Sequence, residues 1–347
     1  MKKTIILSIF ILVFNSIASA QAIPQGTVKT VYLNAKSLQQ NKGNENPRRR
    51  VTIYLPADYS AKKKYPVIYY LHGFTWSDSL VFASDGMAQL LDRAIAQQKI
   101  RPFILVAPDA NTLYKGSFYT NSNVNGNWSA FVAEDLVNFI DANYSTIKNK
   151  NSRGLAGHSM GGHGALKIAM LYPDRFSAVY AMSPALLAAN SEWMLNMGSV
   201  SSILNMSDAK QLSGDFNAML AVALGRAFSP NPKKPPFYCD LPYIKSTDSL
   251  SVDDHVLTLW NANTPAALLP THASALRNLR GLAFDWGSND QFKHIPLTAR
   301  SFASQLEAFD VSFSAREYPG DHGSKIMSDD GRVLNFLLPF FETYLSF

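Results

Sequence analysis

The chain of 347 residues carries 32 Lys and Arg against 26 Asp and Glu, a net charge of +6, and 47% of its residues are apolar. This composition supports a large buried core, and the basic residues are too scattered to form the aromatic-interleaved stripe of a nucleic-acid binder. The single cysteine, Cys239, excludes an intramolecular disulfide and cysteine-rich metal sites.

Residues 1–20, MKKTIILSIFILVFNSIASA, open with two lysines, run apolar from Ile5 to Phe14 and end in Ala18-Ser19-Ala20, the order of a secretory signal. The apolar run is too short to span a bilayer. Cleavage after Ala20 is therefore expected, giving an exported chain that starts at Gln21 with a net charge of +4. Beyond it, β-branched and aromatic runs bounded by Pro and Gly predict strands over 49–56 and 65–73. The basic triplets Arg48–Arg50 and Lys62–Lys64 read as solvated strand ends. Ala88, Leu91 and Ile95 share one face of a helix predicted over 85–98. An apolar strand at 102–110, a helix at 128–144, a strand ending at Ser159 and a helix stopped by Pro173 follow. Further strands are expected at 176–184, 279–288 and 311–320.

Apolar strands alternating with helices predict an α/β fold, a mostly parallel central sheet covered by helices on both faces. Residues 21–347 read as a single domain. Between 185 and 278 the rhythm breaks into helix-like pieces at 191–197 and 215–228 and a proline-rich loop at 229–242. This stretch reads as an insertion over one edge of the sheet, placed before the strand that should deliver a catalytic acid. Trp193, Phe237 and Trp260 are expected to form its own small core.

Gly157-His158-Ser159-Met160-Gly161 matches the G-x-S-x-G elbow, and its context is right: a strand-like RGLA precedes it and a helix follows. The glycines allow strand and helix to cross closely around a strained serine. Ser159 is thus the candidate nucleophile, and it needs a base held by a carboxylate further along the chain. His322, in the glycine-rich loop YPGDHGS straight after a strand, is favoured over His294, which opens a helix. Asp290, in the loop after the strand LAFDWG, is favoured over Asp285, which reads as a residue capping that strand. Asp321 reads as a solvated loop charge. The turn after YYLHG offers backbone N–H groups for an oxyanion, making Phe74 and Met160 the expected donor pair, with His72 structural. In the loop FYTNSNVNGNW, Tyr119, Asn121 and Trp128 are candidates for substrate contact, beside the alternative that its Asn and Gly residues only shape turns.

Taken in order, IYLPADY, YPVIYYLHG, FILVAPDA, GSFYTNS, NWSAFVAEDLVNFIDANY, GHSMGGHGALKIAMLYPDRFSAVYAMSPAL and FDWGSNDQF make the chain resemble the esterase D-like α/β-hydrolases over roughly residues 48–186 and 279–345. That family includes S-formylglutathione hydrolases, feruloyl and acetyl-xylan esterases and mycolyltransferases. The resemblance implies an α/β-hydrolase fold, a Ser159, Asp290, His322 triad, and Phe74 and Met160 in the oxyanion hole. It implies no cofactor and no metal. S-formylglutathione hydrolases usually follow the HG element with a cysteine-containing segment; here HGFTWSDSL stands in its place, behind a signal-like start, which argues against glutathione thioesters. The expected partner is a small-molecule or carbohydrate-linked ester, with no nucleic acid and no inserted membrane segment. Acyl transfer to a sugar or alcohol uses the same residues and stays open, as does a binding role on a hydrolase scaffold.

Overall fold

The computed structural model describes residues 22–189, 203–204, 206–212, 214–245 and 250–347. The expected signal at 1–20 and the helix-like piece at 191–197, with Trp193, lie outside the described residues. Eight strands form the main sheet: β1 (Thr27–Asn34), β2 (Arg48–Leu55), β3 (Val67–Leu71), β4 (Ile104–Pro108), β5 (Arg153–His158), β6 (Ala178–Met182), β7 (Gly281–Gly287) and β8 (Ser314–Tyr318). They lie side by side in the order β1-β2-β4-β3-β5-β6-β7-β8. Only β2 runs against its neighbours; the pairs from β4 to β8 are parallel. Every residue of β3, β4, β6 and β7 is buried, as a parallel sheet between two helical layers requires. This is the α/β-hydrolase architecture.

Two readings change. β1 is not among the expected strands, although TVKTVYLN is rich in β-branched residues; it is mostly exposed and pairs with β2 at the sheet edge. The basic triplet of β2 is not a solvated end. Arg49 is buried, lies over the Trp128 ring at 4.9 Å and donates to the carbonyls of Asp109 and Asn111, while Arg50 pairs with Asp78 at 2.7 Å. Both guanidinium groups thus tie β2 to loops that follow β3 and β4.

The insertion covers the helix Met160–Leu171 rather than a sheet edge: its own helix Pro265–Arg277 packs against that helix. Two buried cations fasten it. Arg226, on the insertion helix Phe216–Phe228, pairs with Glu45 at 3.0 Å and donates to Asn125 Oδ1. Lys167 donates to Thr120 Oγ1 and to Asn263 Oδ1, both at 2.8 Å, and burial pulls its pKa down to about 7. Trp260 is buried and donates to Ser229 Oγ, as an insertion core requires, but Phe237 reaches out of the insertion to Tyr114. No described helix is long and apolar enough to cross a membrane.

Candidate active site

Four loops converge at the carboxyl ends of β3, β5, β7 and β8, the edge where open α/β sheets hold their ligands. At the end of β5, Ser159 has φ 57° and ψ −115°, a strained conformation for a residue with a side chain, and the helix Met160–Leu171 begins directly after it. Two close approaches explain the flanking glycines. A β-carbon on Gly161 would overlap the Leu71 carbonyl of β3, and one on Gly157 would overlap the Gly161 backbone. The tight crossing leaves Ser159 on the outside of the corner, where it lines a cleft of about 590 Å³.

Asp290 follows β7 and is fully buried. His322 follows β8, and its Nδ1 donates to Asp290 Oδ2 at 2.8 Å. That bond fixes the tautomer, leaving Nε2 of the neutral ring as its proton acceptor. Gly287 brings the two loops together: a β-carbon there would overlap the Gly320 carbonyl. The His322 carbonyl is clamped by His158 Nε2 at 2.9 Å and Arg332 Nη2 at 3.3 Å. Burial, followed by the nearby His322, pulls the His158 pKa well below the ordinary value, so His158 serves as a neutral donor. His322 shares the 590 Å³ cleft with Ser159.

In the turn after β3, Thr75 N–H donates to Lys115 O and Trp76 N–H to Gly73 O, while no acceptor among the described residues takes the Phe74 N–H. The Gly73 backbone lies against Ser159, a β-carbon there falling 3.5 Å from Ser159 Cβ. The Met160 N–H stands at the first position of its helix, where no intrahelical acceptor exists. His72 is buried and accepts from Ala110 N–H at Nε2, so its Nδ1 donates to Gly73 O; it shapes the turn.

The other candidates fall elsewhere. Tyr119 is fully buried, its hydroxyl spent on the His72 carbonyl, and Trp128 is fully buried with its indole N–H on Asn125 O. Asn121 accepts from the Ser129 and Ala130 amides, capping a helix start. None of the three lines the cleft, so the reading of that loop as a substrate contact is corrected: its polar groups hold the loop itself. Asp285 does not cap β7. It is buried within the strand, bound to Arg332 at 2.7 Å and to the Tyr180 hydroxyl at 2.8 Å. Asp321 binds Ser324 and the Gly323 amide within its own turn. His294 is buried, and burial pulls its pKa down to about 4.

The sequence reading missed Trp76, Asp85, Phe216 and Phe292, all of which line the cleft. Phe216 comes from the insertion, edge-on to Phe74 with centroids 5.5 Å apart. Phe74, Phe216 and Phe292 also border a second, apolar lobe of about 40 Å³ that shares Ser159 with the cleft and is lined by Met160 and Leu186.

A family model described as "Putative esterase" matches residues 44–325, which contain Phe74, Ser159, Met160, Asp290 and His322. The chain belongs to this esterase family. Within the family it is similar to esterase Rv1288 of Mycobacterium tuberculosis strain H37Rv, 33% identical over 159 residues, which are 44% of this chain and 33% of that protein. It is also similar to the S-formylglutathione hydrolase of Arabidopsis thaliana, 29% identical over 160 residues, 41% of this chain and 54% of that one. The chain thus spans about a third to a half of the length of these curated relatives. In fold it resembles a ferulic acid esterase, with a TM-score of 0.62 at 20% identity over 92% of this chain and 99% of that one. An S-formylglutathione hydrolase from Agrobacterium tumefaciens gives 0.61 at 17% identity over 95% and 99%.

Proposed function

We propose that the chain is a serine carboxylesterase working through an acyl-enzyme on Ser159. Ser159 Oγ attacks the ester carbonyl and His322 Nε2 takes its proton. The Phe74 and Met160 amides receive the oxyanion, and His322 returns the proton to the departing alcohol. Water then repeats the sequence on the acyl-enzyme, with Asp290 holding the imidazole throughout. The observation that carries this reading is the 2.8 Å His322–Asp290 bond at the sheet edge where the strained Ser159 stands.

The two lobes support an assignment of the ester's arms. The leaving alcohol must depart beside its proton donor, and His322 lines the large cleft but not the small lobe. The alcohol therefore takes the 590 Å³ cleft and the acyl group the 40 Å³ lobe, which holds only a few non-hydrogen atoms. p-Nitrophenyl esters of increasing acyl length test this. Acetate is expected to be turned over best, with kcat/KM falling at least about tenfold by hexanoate as the longer chain strains Phe216 and Leu186. A flat or rising profile would reverse the arm assignment. Among the described residues lining the cleft there is no Lys or Arg, which supports a neutral ester over a glutathione thioester with its two carboxylates.

Export belongs to the same proposal. Residues 1–20 direct the chain out of the cytoplasm, and N-terminal sequencing of the exported protein is expected to begin at Gln21. A sequence beginning at Met1 would contradict it.

A further inference from the structure

The large cleft is walled by aromatic rings, yet it contains one carboxylate. Asp85 lines it, following the short helix Asp78–Ala83. Among the described residues its side chain has a single hydrogen-bond partner, the Trp76 indole, whose Nε1 donates to Oδ2 at 2.9 Å. No Lys or Arg lines the cleft, and no basic group acts on this carboxyl. Several other partly or fully buried carboxylates among the described residues are answered by cations, Asp78 by Arg50, Asp141 by Arg153, Glu45 by Arg226 and Asp285 by Arg332, and Asp92 accepts from the Tyr54 hydroxyl and the Gly26 amide. Asp85 has only the indole donor, and it stands in the substrate cleft.

We propose that Asp85 and Trp76 form a subsite that reads a hydrogen-bond donor, hydroxyl or ammonium, on the alcohol arm of the ester and rejects an anionic arm. The inference rests on the esterase reading of the cleft and adds the chemistry of its substrate. Trp76, 38% exposed, offers an indole face on which the arm can stack. The N–H of the same indole holds Oδ2 and so orients the carboxylate, leaving Oδ1 to accept from the arm. Desolvation raises the carboxyl pKa. A donor arriving at Oδ1 restores the hydrogen bond that water loses when the cleft fills, and a bond to a charged group is stronger than one between neutral groups. An ammonium adds attraction to the surrounding rings. A carboxylate arm meets like charge in a site without a base.

The test uses acetate esters of aryl alcohols matched in shape and bearing at the ring tip a hydrogen, a hydroxyl, an ammonium or a carboxylate, with spacers of zero to three carbons. The readout is each tip's kcat/KM divided by that of the bare ring, in the wild type and in Asp85→Asn. The expected wild-type ratio, at the best spacer, is about tenfold or more for hydroxyl or ammonium and well below one for carboxylate. In Asp85→Asn the ammonium ratio falls towards one, the carboxylate ratio recovers, and the hydroxyl ratio falls less because the amide oxygen still accepts. Which of the two donors gives the larger wild-type ratio identifies the natural arm. Equal use of all four tips by the wild type, or unchanged ratios in the variant, would overturn the subsite. If the wild type turns over no ester, the esterase reading fails separately, and the subsite is read by tryptophan fluorescence during titration with benzylammonium or benzyl alcohol. Binding weakened about tenfold in Asp85→Asn then supports it, and affinity equal in both proteins, or absent, overturns it.

Discussion

Ser159→Ala is expected to lower kcat/KM for p-nitrophenyl acetate by at least about 10⁴-fold while leaving the thermal midpoint close to that of the wild type. The loss is large because the nucleophile and its base act as one unit, and what survives is the contribution of oxyanion stabilisation and binding. Stability is spared for a structural reason. The Ser159 side chain makes no capping bond to the helix it opens, so its removal orphans no backbone group. The backbone bonds of the corner, Ser159 N–H to Met182 O and His163 N–H to Ser159 O, persist with alanine. Alanine also keeps the positive φ, so the strain of the elbow is unchanged, neither relieved nor increased. Reaction with a fluorophosphonate gives an independent readout. Mass spectrometry of the labelled protein should place the adduct on the peptide containing Ser159, and the variant should take none. Turnover equal in both proteins would remove Ser159 from the mechanism.

What could be read from the sequence follows the range of the interactions involved. β3, β4 and β6 were legible because each is a continuous apolar run, as burial on both faces asks, β7 because its run is broken only by Asp285, and β5 because the elbow motif follows it. β1 was missed although Thr and Val make up half of it, since its exposed residues leave no apolar alternation and its partner lies about twenty residues on. The elbow is a local device, so five residues carry it. The closeness of His322 to Asp290 followed from chain order and loop position, although 32 residues separate them. The loop FYTNSNVNGNW misled because Asn and aromatic side chains suit a pocket rim and a self-bonded buried loop equally well. Composition cannot tell that the Tyr119 hydroxyl is taken by His72 O. The pocket walls fail to show for a similar reason. Asp85, Phe216 and Phe292 come from a helix end, the insertion and the acid loop, and only the folded chain puts them around one cleft.

Arg332→Met is expected to have the largest effect on stability and a separate effect on rate. Arg332 is 2% exposed and joins strand β7 to the loops after β6 and β8: Nη1 donates to Asp285 Oδ1 at 2.7 Å and to Ser183 Oγ at 3.1 Å, and Nη2 donates to the His322 carbonyl at 3.3 Å. Removing the cation leaves Asp285 buried with the Tyr180 hydroxyl as its remaining side-chain donor. Breaking a buried pair from one side costs about 3–5 kcal/mol, a fall in Tm on the order of 10 °C for a chain of this size. The pH dependence has a definite sign. Burial already raises the Asp285 carboxyl against the pull of Arg332, and losing the arginine raises it further. A carboxyl whose folded pKa lies above its unfolded value favours the folded state at low pH and loses that contribution as pH rises through the folded value. The deficit of Arg332→Met should therefore be greatest at neutral pH and above, and shrink on acidification towards pH 5. Adding Asp285→Asn removes the stranded charge and should recover much of the lost stability at neutral pH. The rate effect runs through His322, whose carbonyl keeps only the His158 donor. A displacement of about 1 Å in a catalytic group costs on the order of 100-fold, so kcat should fall with KM little changed, measured well below the lowered Tm. Because the double variant restores charge balance without restoring the donor to His322, it should regain stability and not kcat. Recovery of both together would mean that Arg332 acts on folding alone.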